Sequence, residues 1–375
     1  MFVRQSTLRV RSWRRLLPVV AGVLVLGTSL AACGSDSDSD GDSGSRGSST
    51  AASSAGSDKP VRIAMLGYDN KNNFTQWWWE GAKEEAKKQG VEVTLVDGKF
   101  DAKAQAAALE NTATSKKFDA VAVLPVDGQS LLPVVKQAGD SGLKVISGAT
   151  LGNVQESNKL DPKIPQVQSV VGYETSFQAE IFAKNIKAAC EAKNGAGAPC
   201  KVGIMPGAAK FPTDALQFEV VKNSLKGDKN ISISIAPDGG YARPGGYKSM
   251  TTYLQSHKDV DVMHANGDQM IAGAVQALKE AGKTPGKDVY LSGYGGTTEA
   301  FKGIRDGSWF GTSALYPQRQ ARTMVDLATK AVRGEEVPPT YNLLTEPEGT
   351  LVQLTKPILD EHPDLEGEWS EAAPR

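Results

Sequence analysis

The 375-residue chain has three cysteines, three histidines, no long block of like charge and no run of about 20 apolar residues. Each scarcity excludes a class. Three cysteines and three histidines do not build a zinc-finger array or a cysteine-dense secreted scaffold. His257, His264 and His362 show no metal-ligand spacing. The lack of a long apolar run excludes the spanning body of a channel or transporter. The 42 basic and 43 acidic residues give a net charge of −1, without the basic stripe that nucleic acid demands. Catalytic signals are equally thin. Gly282-Lys283-Thr284 resembles the end of a phosphate-binding loop, but the glycine required five positions earlier is Ala277, on a helical segment. No Gly-x-Ser-x-Gly elbow occurs. These absences point to a protein that binds rather than one that catalyses, with no catalytic residue, cofactor or metal expected. An exported hydrolase whose residues are scattered along the chain is the competing reading.

What is present begins with an address. Residues 1–15 carry Arg4, Arg9, Arg11, Arg14 and Arg15 and no acid. An apolar stretch follows from Leu16 to Leu30, then Ala31-Ala32-Cys33. A basic start, a short apolar core and small residues before a cleavage point make a secretory signal peptide over 1–32. Leu30-Ala31-Ala32-Cys33 resembles the bacterial lipobox. That resemblance implies that Cys33 is lipidated and becomes the mature N-terminus; an ordinary signal peptide with a chance cysteine is the alternative. Removing 1–32 takes away five arginines and no acid, leaving a net charge of −6. Residues 34–59 are almost all Ser, Gly, Asp and Ala, a composition that does not bury enough apolar surface to fold. As a flexible coil this tether spans about 28 Å r.m.s.. The expected location is the outer face of the cytoplasmic membrane, with 33–59 as a lipidated tether.

From Pro60 the pattern changes. Short β-branched runs start at Val61, Val91, Asp119 and Leu143, with helical stretches at 76–89, 101–116 and 128–141. The rhythm restarts with runs at Lys201, Ile231, Val260 and Asp288 and helical stretches at 174–192, 213–226, 245–257 and 268–281. Spacings of 24 to 30 residues fit strand–helix–strand units, so two α/β domains with parallel sheets are expected. In such sheets ligands meet the loops after the strand ends. Those loops mix aromatics, amides, carboxylates and glycines, as in Gly67–Thr75, Pro206–Asp214, Pro237–Tyr247 and Gly293–Thr297. They suit a small polar ligand held by hydrogen bonds and ring stacking.

Three local patterns then carry a family resemblance: Asn72-Asn73-Phe74 with Gly81-Ala82; Asn266-Gly267-Asp268-Gln269-Met270 with Gly273-Ala274; and Leu291-Ser292-Gly293-Tyr294-Gly295-Gly296 with Ile304-Arg305-Asp306-Gly307. Over about residues 60–355 the body resembles the type I periplasmic binding proteins, in their ribose-binding branch. The resemblance implies two Rossmann-like lobes joined by a three-crossing hinge and closing on a sugar-like solute. The implied partners are an ABC permease with a separate ATPase; presentation of ligand to a membrane sensor kinase is the alternative. The lobes are placed at 60–172 plus 316–341 and at 173–315 plus 342–361, with 362–375 as a loose tail and the receptor a monomer. Crossings are expected near Val171–Tyr173, Leu315–Pro317 and Asn342–Leu351.

The candidate ligand contacts are Asn72, Phe74, Thr75, Trp77, Asp127, Thr150, Tyr173, Asp214, Tyr241, Asn266, Asp268, Tyr294 and Tyr316. Asn72, Asp127 and Asp214 compete as helix-start residues. Trp77, Trp78 and Trp79 point about 100° apart on a helix, and Trp77 is assigned to the cleft. The chain departs from the family where an Asp-Arg pair is usual, here Ala149-Thr150, and where an aspartate and a glutamine are usual, here Gly295 and Leu315. Charged side chains fix sugar hydroxyls strongly, so their loss leaves the sugar class open. Cys190 and Cys200 read as a disulfide in an exported chain, with two free thiols as the alternative.

Overall fold

A computed structural model describes residues 59–153, 159–209 and 211–374. The expected signal peptide, the lipidation site at Cys33 and all but the last residue of the tether lie outside the described residues.

The first lobe is built on a parallel six-stranded sheet of β1 (Arg62–Leu66), β2 (Glu92–Val96), β3 (Ala120–Val123), β4 (Lys144–Ser147), β5 (Val167–Gly172) and β11 (Thr340–Asn342), in the order β11-β5-β4-β3-β1-β2. The second sheet repeats the order with β6 (Cys200–Met205), β7 (Ile231–Ile235), β8 (Val262–Ala265), β9 (Tyr290–Gly295), β10 (Gly311–Ala314) and β12 (Gln353–Thr355), as β12-β10-β9-β8-β6-β7. Only its edge strand β12 runs antiparallel, against β10. Central strands are covered on both faces and read as unbroken apolar runs, as in the fully buried Ala120-Val121-Ala122-Val123. Edge strands such as Ile231–Ile235 alternate Ile and Ser and stay partly exposed.

The helices of the first lobe are α1 (Asn73–Gln89), α2 (Ala102–Thr114), α3 (Gly128–Asp140) and α9 (Pro317–Arg333). Those of the second are α4 (Thr175–Asn194), α5 (Pro212–Ser224), α6 (Arg243–Leu254), α7 (Asp268–Glu280), α8 (Thr298–Asp306) and α10 (Lys356–Glu361). Local chemistry sets their ends. The Asn72 and Asp101 side chains accept from the third residue onward, and Gly90 closes α1 in a left-handed turn. Helices α1 and α9 cross closely at Gly81, where any Cβ would collide with the Gln318 backbone. Gly273 does the same for α7 against the backbone of Arg243 and Tyr247.

Among the described residues the chain passes between the sheets three times: from β5 into α4, from β10 into α9, and between β11 and β12. These positions agree with the expected crossings. The Cys190–Cys200 disulfide, with 5.7 Å between Cα atoms, ties the end of α4 to the start of β6.

One expectation needs correction. The segment after α10 is not a loose tail. Arg305 donates to the Pro363 and Leu365 carbonyls at 3.0 and 2.6 Å. Trp369 is 2% exposed, and its indole Nε1 donates to Gly295 O at 2.7 Å. An indole has enough apolar area to order a short segment when its N–H also finds an acceptor.

Candidate functional site

A cavity of ≈ 190 Å³ lies between the lobes, at the carboxyl ends of the strands. Both doubly wound sheets direct their loops there, which is where such topologies bind ligands. Aromatic side chains from both lobes line it. Tyr68, Phe74 and Phe100 come from the first lobe, and Phe211, Tyr241 and Tyr294 from the second. Phe100 stacks on Phe211 with centroids 5.5 Å apart and packs against Tyr241 at 5.9 Å, so the lobes meet ring to ring. Phe100 and Tyr241 both hold left-handed backbone, φ 50° and 53°. Non-glycine residues adopt that conformation at a cost of about 1 kcal/mol or more, held here by the surrounding packing.

Between the rings stand buried amides. Gln178 on α4 accepts the Tyr294 hydroxyl at 2.8 Å through Oε1, and its Nε2 has no partner. Gln217 on α5 accepts from Asn266 Nδ2 at 3.0 Å; its own Nε2 meets no partner at bonding geometry, with the Tyr294 hydroxyl nearby. Gln320 on α9 donates to Gly148 O and Val171 O at 3.1 and 2.8 Å and leaves Oε1 unpaired. All three line the cavity and are 2% exposed. An unpaired buried polar atom costs about 1–3 kcal/mol, which a ligand hydroxyl would relieve.

The acids stand one layer back. Asp214 accepts from the Tyr241 hydroxyl and from Ala208 N, and burial pushes its carboxyl up. Asp268 is fully buried, held by Thr312 Oγ1 at 2.8 Å and Thr297 N at 2.9 Å, its pKa pushed up to about 6 by burial. Burial lowers His264 to about 3, so it is neutral, beside Ser292. Burial also raises Tyr68 to about 12 and Tyr241 and Tyr294 well upward, so these hydroxyls stay protonated. Among the described residues no cluster of three His, Cys, Asp or Glu is arranged for a metal. The arrangement offers mostly neutral donors, acceptors and ring faces, with Lys159 and Glu174 also on the lining. It suits a hydroxyl-bearing ligand, and the buried Ser292–His264 pair is not part of the lining.

Seven of the thirteen expected contacts line this cavity: Asn72, Phe74, Thr150, Tyr173, Tyr241, Asn266 and Tyr294. Asn72 also caps α1, and the Tyr173 hydroxyl accepts from Tyr316 N at 2.7 Å, at the hinge. The Thr150 hydroxyl is engaged by the Lys159 carbonyl and the Asp161 amide. The other six stand elsewhere. Thr75 is fully buried, its methyl filling the space beside Gly67. Trp77 donates Nε1 to Ser370 O and Ala372 O at 3.1 and 2.9 Å, holding the C-terminal segment instead of a ligand. Asp127 caps α3 through Gln129 N and Ser130 Oγ. Asp214 and Asp268 support the loops from behind. Tyr316 donates to Leu351 O, with Arg319 stacked 3.8 Å over its ring. The three glutamines, Phe100 and Trp369 were missed. The glutamines sit inside helices, where no loop signal marks them; Trp369 lies in the segment expected to be loose.

A family model described as periplasmic binding protein domain matches residues 63–336. The chain belongs to this family. It is a family of binding proteins, and its members act outside the cytoplasm. The ribose import binding protein RbsB of Bacillus subtilis is 24% identical over 292 residues, covering 77% of this chain and 88% of that protein. The galactofuranose-binding protein YtfQ of Escherichia coli is 25% identical over 273 residues, covering 72% and 81%. The fold matches that of the binding component of the arabinose ABC transporter from Shewanella sp. ANA-3, bound to arabinofuranose. There the TM-score is 0.68 at 19% identity, with 81% of this chain and 95% of that one covered.

Proposed function

We propose that the protein is an extracytoplasmic receptor that closes its two lobes on one neutral monosaccharide or polyol and presents it to an ABC permease. The observation that carries this reading is the set of Gln178 Nε2, Gln217 Nε2 and Gln320 Oε1, three buried polar atoms without partners on side chains that line one cavity. They come from both lobes: α4 and α5 in the second, α9 in the first. A ligand that pairs all three favours the closed arrangement, because it makes the full set of bonds only there. Ring faces pack against the C–H faces of a sugar while the amides take its hydroxyls. The cavity has room for about one monosaccharide unit. The curated relatives bind ribose and galactofuranose by name, which supports the sugar class. Ala149-Thr150 stand where the Asp-Arg pair is usual, so recognition rests mainly on the amides and rings of the lining.

Among the described residues no helix is long and apolar enough to cross a bilayer. A lipid on Cys33 and a tether of about 28 Å would keep the receptor beside that permease. Thermal unfolding of residues 59–375 against D-ribose, L-arabinose, D-allose, D-galactose and myo-inositol tests the reading. A ligand at 100 times its dissociation constant adds about 2.7 kcal/mol, a shift of several degrees. No shift with any of them, alongside a shift with amino acids or nucleosides, would refute the sugar class. Palmitate labelling of the full-length protein, lost in Cys33→Ala, tests the anchor.

A further inference from the structure

The C-terminal segment lies beyond the residues matched by the family, yet it enters the cleft. Trp369 lines the cavity and meets Phe74 edge to face, with centroids 5.7 Å apart. Its indole N–H is fixed on Gly295 O, and its carbonyl accepts from Thr298 N at 2.9 Å. The second lobe is shaped to receive it. A Cβ on Gly295 would stand 2.9 Å from the Trp369 ring, and a Cβ on Gly367 would stand 2.6 Å from Thr298 N. Both positions need the smallest residue for the segment to seat. Glu299 accepts from Ser370 Oγ at 2.7 Å and Glu371 N at 3.1 Å, extending the anchorage.

The same segment grips the first lobe. Trp77 Nε1 donates to the Ser370 and Ala372 carbonyls, and Asn73 Nδ2 to the Glu371 carbonyl. Gln318 Nε2 and Arg319 N reach Glu368 at the start of α9. The segment therefore straps one flank of the cleft, across the side carrying α1, α9 and α8.

We propose that residues 363–374 form a third wall of the ligand site, in which the Trp369 ring limits ligand size and the strap favours the closed arrangement of the lobes. This rests on the receptor reading above, and its test is separable from it. The direct comparison is calorimetric titration of wild type and Trp369→Ala with the sugar that wild type binds from the panel, and with the phenyl glycoside of that sugar. The expected result is at least tenfold weaker binding of the free sugar, together with binding of the phenyl glycoside that wild type rejects. Unchanged affinity within twofold and continued rejection of the glycoside would overturn the proposal while leaving the receptor intact. Should Trp369→Ala fail to fold, two variants take its place. Trp369→Phe keeps a ring but loses the bond to Gly295, and Gly367→Val lifts the strap from Thr298; each should weaken the sugar. If wild type binds no sugar of the panel but binds an amino acid or a nucleoside, the sugar class fails alone. The strap is then judged by hydrogen exchange in the unliganded protein. Slow exchange at Thr298 and Glu371 amides supports it; exchange as fast as in an unstructured segment overturns it.

Discussion

Replacing Gln178 by Met removes one of the three unpaired cavity atoms at nearly constant side-chain length. Without ligand the change has two opposed effects. The Tyr294 hydroxyl loses its acceptor Gln178 Oε1, worth about 1 kcal/mol as a made bond and more if the hydroxyl is left dry. The unpaired Nε2 donor also disappears, which returns about 1–3 kcal/mol of desolvation cost. The two nearly cancel, so the unliganded melting midpoint should move by no more than a few degrees. With ligand the effects no longer cancel. The wild-type donor meets a sugar hydroxyl; the thioether leaves that hydroxyl buried and unpaired. A loss of about 1–3 kcal/mol weakens binding roughly 5- to 150-fold. The assay is calorimetric titration with the sugar found by thermal shift, run beside unliganded melting. Unchanged affinity within twofold, with a folded variant, would refute the reasoning that these amides are poised for ligand hydroxyls.

Other expectations follow from packing and charge. Gly81→Val places a side chain against the Gln318 backbone where α1 crosses α9, and should destabilise the first lobe by several kcal/mol in chemical denaturation. Reducing the Cys190–Cys200 disulfide, or replacing both cysteines by Ala, should cost ~2.7 kcal/mol and lower the melting midpoint by about 5 °C. Glu371 has its pKa raised to about 8, first by burial and then by Glu299, against a partial counter-effect from Arg243 3.8 Å away and a further push from Asp268. The folded state then holds a proton that the unfolded state has released. Stability from this group is full at pH below about 4.5 and is lost as pH rises towards 8, on the order of a few kcal/mol. Wild type should therefore show faster hydrogen exchange in 368–372 at pH 9 than at pH 5, after correction for intrinsic rate, and Glu371→Gln should remove that difference.

The frame was legible because parallel strands buried on both faces leave apolar runs at regular spacing, and β1 to β4 and β6 to β9 all began within three residues of the expected runs. β10 reads Gly-Thr-Ser-Ala and has no such run, although it is fully buried. Its position emerged only through the crossing beside it. Within the site, loop residues such as Tyr241 and Asn266 were found because strand-end loops are where α/β sheets bind. Gln178, Gln217 and Gln320 were not, because a glutamine inside a helix looks the same whether it faces solvent or a cavity. Asp127 and Asp268 show the converse: an acid after a strand end caps a helix or braces a loop as readily as it meets a ligand. Trp369 was lost because its segment is rich in Glu, Ala and Pro, and composition does not reveal a single indole seated on Gly295.

The proposed receptor holds a neutral sugar or polyol between its lobes through Gln178, Gln217 and Gln320. A crystal structure of the protein with the sugar that raises its melting midpoint tests this most directly. The expected result is one sugar in the cavity, with Gln178 Nε2, Gln217 Nε2 and Gln320 Oε1 each within about 3.2 Å of a hydroxyl. A sugar bound elsewhere, or bound there with those three atoms still unpaired, would contradict it.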